Sequence, residues 1–403
     1  MSGLNLKGSI KDEQLHVIEN AGLVIDNETI LQVDTFQNLK TKYSNQEINV
    51  VEFEFEAVCL PAFIDSHTHI CFAGSRANDF AMRNAGKSYL DIAKSGGGIW
   101  DTVTKTRQAS LKELIEGINK RAQKLLESGI TTIEVKSGYG LSVEHELKML
   151  DAIHAAKKDA VADLIPTCLA AHIKPKDYDG NHKDYLEYIA NDLFPILKER
   201  KLTDRIDAFI EEEAFDGEII SKYFNKAQSL GFDITVHADQ FSTGGSEIAV
   251  KHNAVSADHL EASTQKEIEL LAKSNVISVA LPGATLGLGC DFTPARKILD
   301  AGGALAIASD WNPGSGPMGD LITQASILAT FQKLSTAEVL AAITYRAAAA
   351  LRLFDRGVIG KGKKADLVIY RTNSYKEILY HQGQLKPNQV WKNGQCVYSN
   401  KEV

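Results

Sequence analysis

Two histidines one residue apart, His67 and His69, close an apolar run that begins at Leu60. In an extended chain residues i and i+2 point to the same side, so both imidazoles can reach one point. Imidazole is the commonest protein ligand for zinc-like ions, and a pair supplies half of a tetrahedral site. Alone, such a pair is also what a polar strand end on a surface shows, so the reading depends on partners elsewhere. Those partners exist: His172, His237, His259 and Asp310 each stand at the end of a short apolar run. With His67 and His69, His237 and Asp310 make three imidazoles and one carboxylate, a set suited to zinc or iron. An ion so held activates water, and Asp310 can bind it weakly while accepting the proton of that water. His259 at the same rim can orient or protonate a tetrahedral intermediate; the alternative is a purely structural partner.

The elements that must position these groups are legible as alternating strands and helices between residues 58 and 350. The strand expected first is the Leu60–His69 stretch. It is followed by Thr131–Val135, Leu164–Leu169, Ile206–Ile210, Asp233–Val236, Ala254–Ala257, Val276–Ala280 and Ala304–Ala308. Between strands the period changes; Leu111 to Leu126 keeps Leu114, Ile115, Ile118, Ala122 and Leu125 on one helical face. Eight such units predict an α/β fold, a (β/α)8 TIM-type barrel, whose chemistry belongs at the C-terminal strand ends. The long connections Ala73–Ser110 and Trp311–Asp320 read as loops acting as lids or substrate walls. The chain ends read differently: Gly22–Val33 is a hairpin, Ala365–Tyr370 a strand, and Val390–Tyr398 a hairpin turning at Asn393-Gly394. Neither end has enough apolar residues to fold alone. We therefore expect residues 1–57 and 351–403 to pair into one small β-sandwich domain flanking a barrel of residues 58–350.

A formal net charge of −8 over 403 residues argues against a nucleic-acid partner. No apolar run reaches 18 residues, so no membrane span is expected, and Met1–Lys7 lacks the apolar stretch of a secretory signal. Five scattered cysteines, odd in number, argue against a disulfide framework and for a reducing cytoplasm. The default assembly for such a chain is a homodimer.

The histidine pair on the first strand, the histidines on the fifth and sixth and the aspartate on the eighth resemble the amidohydrolase superfamily. Binuclear members carry a bridging lysine at the end of strand four; here that end reads Ile210-Glu211-Glu212-Glu213, which implies one metal ion, zinc or iron. The chain is more closely similar to the imidazolonepropionase family. The similar segments are Asp65–His69, Phe72–Arg76, Gly86–Tyr89, Gly96–Ile99, Glu134–Gly140, Ala170–His172 and Ser309–Ser315. This resemblance implies hydrolytic ring opening of 4-imidazolone-5-propanoate to N-formimidoyl-L-glutamate. The substrate carries a carboxylate tail, for which a guanidinium is the best partner, so Arg76 looks like the clamp and Tyr139 a hydroxyl donor. His172 looks like a contact to the ring, and Asn312, Gly314 and Ser315 like a polar loop holding ring or carboxylate. Some members place an acid three residues after the strand-five histidine. Here that residue is Gln240, which as an amide cannot act as a base. We assign Gln240 to substrate binding and leave proton transfer to Asp310 and His259. Rival readings are another mononuclear amidohydrolase, such as a cytosine- or guanine-type deaminase, and a non-catalytic barrel serving as an assembly module.

Overall fold

The computed structural model describes residues 3–211 and 214–400, with the backbone alone for Tyr89, Leu90 and Ala93. Glu212 and Glu213, read above at the end of strand four, lie outside the described residues. From the N-terminus, β1 (Ala21–Asp26) and β2 (Thr29–Thr35) form the expected antiparallel hairpin, turning through Asn27 in the left-handed conformation that Asn tolerates. The next strand, β3 (Ala57–Pro61), precedes the barrel strands β4 (Phe63–Asp65), β5 (Ile130–Lys136), β6 (Asp163–Ala171) and β7 (Arg205–Phe209). The barrel continues with β8 (Asp233–Ala238), β9 (Ser256–His259), β10 (Ile277–Ala280) and β11 (Ala304–Ile307). Beyond it lie β12 (Leu367–Arg371), β13 (Gln389–Lys392) and β14 (Gln395–Ser399).

Strands β4 to β11 form one parallel eight-stranded sheet in chain order, the predicted TIM-type barrel. Its ends meet at the rim, where the Asp310 N–H donates to the His67 carbonyl (3.0 Å) and the His69 N–H to the Trp311 carbonyl (3.0 Å). The backbone bonds that close the barrel thus set two candidate metal-binding segments side by side. Outside it, the helix Leu111–Glu127 covers the expected face and buries Leu114, Ile118, Ala122 and Leu125. It starts where it does because Ser110 accepts from the Glu113 N–H while the Glu113 carboxylate takes the Ser110 N–H.

Two expectations need correction. The Leu60–His69 stretch is two strands in different sheets, not one. Pro61 still pairs with Leu367 of β12, but the Ala62 N–H goes to the Asp366 carbonyl and the Phe63 N–H to that of Gly129. Proline has no N–H to continue a ladder, and the chain changes partners there. The connection Ala73–Ser110 is not a loop but three short helices, Ala77–Asn84, Tyr89–Lys94 and Ile99–Gln108. Their stability rests on rim contacts such as buried Asp79, which accepts from the Gly98 N–H at 2.8 Å, and no local pattern announces those.

The chain ends meet as expected. The four-stranded sheet β14-β13-β12-β3 joins both termini, and the β1–β2 hairpin is stitched to it by Ile30 N–H to Lys363 O (2.9 Å) and Ala365 N–H to Glu28 O (2.8 Å). Ile30 and Leu367 lie between the two sheets with Leu23, Val33 and Trp391. Residues before the hairpin lie on the barrel instead: Gly8 bonds Gly303, and Ile10 packs on Ala337 and Ala341.

Candidate active site

The expected metal-binding groups converge at the C-terminal mouth of the barrel. His67 Nε2 lies 3.2 Å from His69 Nε2, which lies 3.4 Å from His237 Nε2. Asp310 Oδ1 stands 3.6 Å from His67 Nε2 and 3.4 Å from His69 Nε2. Donors about 2.1 Å from one ion in a tetrahedron sit about 3.4 Å from each other, and the spacings of His67, His69 and Asp310, with His237 3.4 Å from His69, are of that size. His259 reaches the same centre, its ligand atom within 4.8 Å of those of His67 and His237.

The remaining ring nitrogens explain why these atoms want a cation. His67 Nδ1 lies 2.6 Å from Asp258 Oδ2, and His237 Nδ1 3.0 Å from Asp207 Oδ2. Each carboxylate takes the ring proton at Nδ1 and leaves a lone pair on Nε2. Two lone pairs, His69 and the otherwise unpartnered Asp310 Oδ1 then face one another in a buried space. A positive ion relieves that arrangement, so the residues fit a metal.

The electrostatics agree. Burial, with Lys136 and the neighbouring histidines, holds His67 and His69 far below the usual imidazole range. Burial likewise takes His237 down to about 4 against the pull of Asp207. All three are neutral ligands at pH 7. Burial raises Asp310 to about 6 despite His259 and Asn312. Burial opposes a charge on His259, yet its pKa moves upward because Glu261, with Oε2 3.5 Å from Nδ1, together with Asp310 and Asp258 favours the protonated ring. Backbone strain gathers here too. His259 (φ 87°) and Asp310 (φ 47°) are non-glycine residues in the left-handed region, each costing about 1–3 kcal/mol.

Around this centre the structure gives each remaining expected residue a place. Arg76 Nε donates to Asp79 at 2.8 Å, and its guanidinium lies against Gly314, where a Cβ would stand 2.3 Å from Nη1. The Tyr139 ring is 5.9 Å from that of His69, and the His172 ring stacks on His69 at 5.6 Å. His172 Nδ1 is bonded to the Gly138 carbonyl, which leaves its Nε2 as an acceptor. The 240–242 backbone is tied to Glu211, which accepts from the N–H groups of Gln240, Phe241 and Ser242. Asp239, the neighbouring acid, is spent on Ser246 and Ser263.

Asn312 is tied into its own loop: its Nδ2 donates to Asp310 O (2.8 Å), Asp310 Oδ2 (2.9 Å) and Ser315 Oγ (2.9 Å), while its Oδ1 accepts from the N–H groups of Gly314 and Ser315. These bonds hold Asp310 in place beside the segment expected to meet the substrate. Sequence reasoning missed Asp207, Asp258 and Glu134 altogether. The signal was there: charged residues inside short apolar strands of a barrel buried on both faces are costly unless they have a task.

The model of the amidohydrolase family matches residues 83–398, so the chain belongs to that family. Within it the chain groups with the imidazolonepropionases. That of Clostridium tetani is 38% identical over 399 residues, covering 98% of this chain and 95% of that one. That of Bacillus mycoides is 39% identical over 391 residues, covering 96% and 91%. Solved structures share the fold at low identity. They include the 5-methylcytosine deaminase of Klebsiella pneumoniae (TM-score 0.73, 15% identity, 98% of both chains). Another is an adenosine deaminase of Xanthomonas campestris with bound zinc (TM-score 0.71, 19% identity, 98% and 92%).

Proposed function

We propose that the chain opens the ring of 4-imidazolone-5-propanoate by hydrolysis, giving N-formimidoyl-L-glutamate. The observation that carries this reading is the convergence of His67, His69, His237 and Asp310 on one point, joined through Asn312 and Gly314 to the guanidinium of Arg76. Those four residues would hold a zinc or iron ion, which would supply the Lewis acidity that lowers the pKa of water from about 16 toward about 7. Water adds to the ring carbonyl carbon, the carbon–nitrogen bond there breaks, and a proton passes to the departing nitrogen. Asp310, with Oδ2 anchored by Asn312, accepts the proton of the water and returns it to that nitrogen. His259, whose proton the neighbouring Glu261 favours, donates to the oxygen that gains negative charge. Arg76 binds both oxygens of the propionate from a guanidinium steadied by Asp79, and the Tyr139 hydroxyl assists it. His172 Nε2 accepts from the ring, and the Gln240 amide, whose side chain has no partner among the described residues, bonds the ring as well.

Among the described residues no helix is long and apolar enough to cross a membrane. That fits a cytoplasmic enzyme with a small-molecule substrate, and two-fold assembly is the commonest arrangement for one. The test is direct. The purified protein incubated with 4-imidazolone-5-propanoate should consume it and form the formimidoyl product, and elemental analysis should find one zinc or iron per chain. No ring opening by metal-replete protein overturns the proposal, and ammonia release from cytosine or guanine in its place would assign a deaminase.

A further inference from the structure

Lys136 heads the Lys136–Gly140 motif, yet neither the ion nor the substrate needs it directly. It is wholly buried, as are Glu134, Asp207 and Asp258. Its Nζ lies 2.8 Å from Glu134 Oε2, 2.8 Å from Asp207 Oδ2 and 3.7 Å from Asp258 Oδ2. Two of those oxygens have a second task. Asp207 Oδ2 is the atom facing His237 Nδ1, and Asp258 Oδ2 the atom facing His67 Nδ1. We infer that Lys136 is a positioning residue of the metal centre, a single ammonium that pins both carboxylates orienting His67 and His237.

The barrel geometry supplies the reason. Lys136, Asp207 and Asp258 lie on the second, fourth and sixth barrel strands, and His67 and His237 follow or close the first and fifth. Alternate strands fill alternate layers of such an interior, so the ammonium and carboxylates form one layer and the histidines the layer above. A carboxylate held only by one imidazole N–H can rotate about its last torsion, and the imidazole turns with it. Asp207, bonded also to a buried ammonium, cannot, and Asp258 Oδ2, 3.7 Å from the same ammonium, is held toward it by charge. Lys136 thereby couples two ligands on opposite sides of the centre, and the Nε2 atoms stay aimed at one point before any ion arrives.

The competing account is that Lys136 only neutralises buried acids. Glu134 separates the two, because it touches the same ammonium at the same distance but bonds Thr167, not a histidine. Affinities for Zn(II) and Co(II) are measured by chelator competition on full-length protein, together with the visible spectrum of the Co(II) form. Lys136→Met should weaken both ions about 10- to 100-fold and shift the Co(II) bands. Glu134→Gln should leave affinity within about threefold and the bands in place. Equal losses in both variants, or none in Lys136→Met, overturn the inference. Should Lys136→Met not fold, Asp207→Asn and Asp258→Asn carry the test. Each frees one histidine and should weaken binding about 10-fold, and wild-type affinity in both is likewise contrary. The inference rests on the metal reading above. Wild-type protein that binds neither ion removes that reading, whereas normal wild-type binding beside an unaffected Lys136→Met removes only the inference.

Discussion

Asp310 is gripped from one side and open on the other: Oδ2 takes the Asn312 amide at 2.9 Å, and Oδ1 has no hydrogen-bond partner and faces the histidines. That asymmetry is what a group needs if it is to face an ion and still move a proton. Asp310→Ala should therefore lower turnover by about three orders of magnitude or more while thermal denaturation still shows a folded barrel; substantial turnover at normal metal content counts against its role. Arg76→Ala removes a charge-assisted fork worth about 2–3 kcal/mol and should raise KM for the propionate substrate roughly 30- to 100-fold with a smaller effect on kcat. An unchanged KM would locate the clamp elsewhere. The pH dependence of ion binding follows from the same residues. A carboxyl raised to about 6 competes with protons for the ion below that pH, whereas His237, held at about 4, and His67 and His69, held well below the usual imidazole range, do not. Binding of Co(II) at pH 7 should release well under one proton, rising toward one near pH 5, as read by calorimetry in buffers of different ionisation enthalpy. A release of two protons at pH 7 would contradict neutral histidines.

At the scale of elements, the site depends on how the rim segments lean on each other. Arg83, on the helix Ala77–Asn84, donates to the carbonyls of Gly287 (2.6 Å) and Gly314 (3.3 Å) and so bridges the segments after the seventh and eighth strands. Gly287 is there because a Cβ would fall 1.6 Å from the Ser315 carbonyl oxygen. Gly287→Ala should push the 312–316 loop off Asp310 and lower kcat/KM at least tenfold. Gly289→Ala, nearby at φ 70° with open space around it, should cost about 1 kcal/mol of stability and little activity. Equal kinetics in the two variants would show that the loop contact does not matter. Short apolar runs announced all eight barrel strands, since strands buried on both faces have little choice of residue type. The helical lid was not legible, because its buried partners, Asp79 with Gly98 among them, lie across the rim and leave no periodic mark in the chain.

At the scale of the molecule, the small β unit is bolted to the base of the barrel by charge. Lys392 Nζ reaches Asp163 and Asp366, both at 2.8 Å, and Arg356 pairs with the same Asp163 oxygen. Lys392→Met leaves Asp366 buried without its cation and should cost about 2–3 kcal/mol, read as a lower Tm, while the folded fraction keeps kcat within about twofold. Although burial opposes it, Lys392 and Arg356 hold Asp163 below its ordinary 3.8. A depressed carboxyl stabilises above its unfolded pKa and loses that as pH falls through the folded one, so the gap between variant and wild type should narrow below about pH 4. A gap independent of pH would mean that packing, not charge, joins the two parts.

The sequence by itself determined the barrel and the meeting of the chain ends in a β unit, and it pointed to His67, His69, His237 and Asp310 as groups gathered at the barrel mouth. Strand burial and ligand chemistry restrict residue type position by position, and that restriction is visible along the chain. Only the tertiary structure decided that Pro61 ends one sheet before Phe63 begins another, that Asn312 serves Asp310, and that Lys136, Asp207 and Asp258 lie beneath the histidines. Most of those relations join residues far apart in the chain, as His67 and Asp258 are at a separation of 191 positions. A hydrogen bond depends on where two atoms meet in space, and neither residue carries that place in its own type.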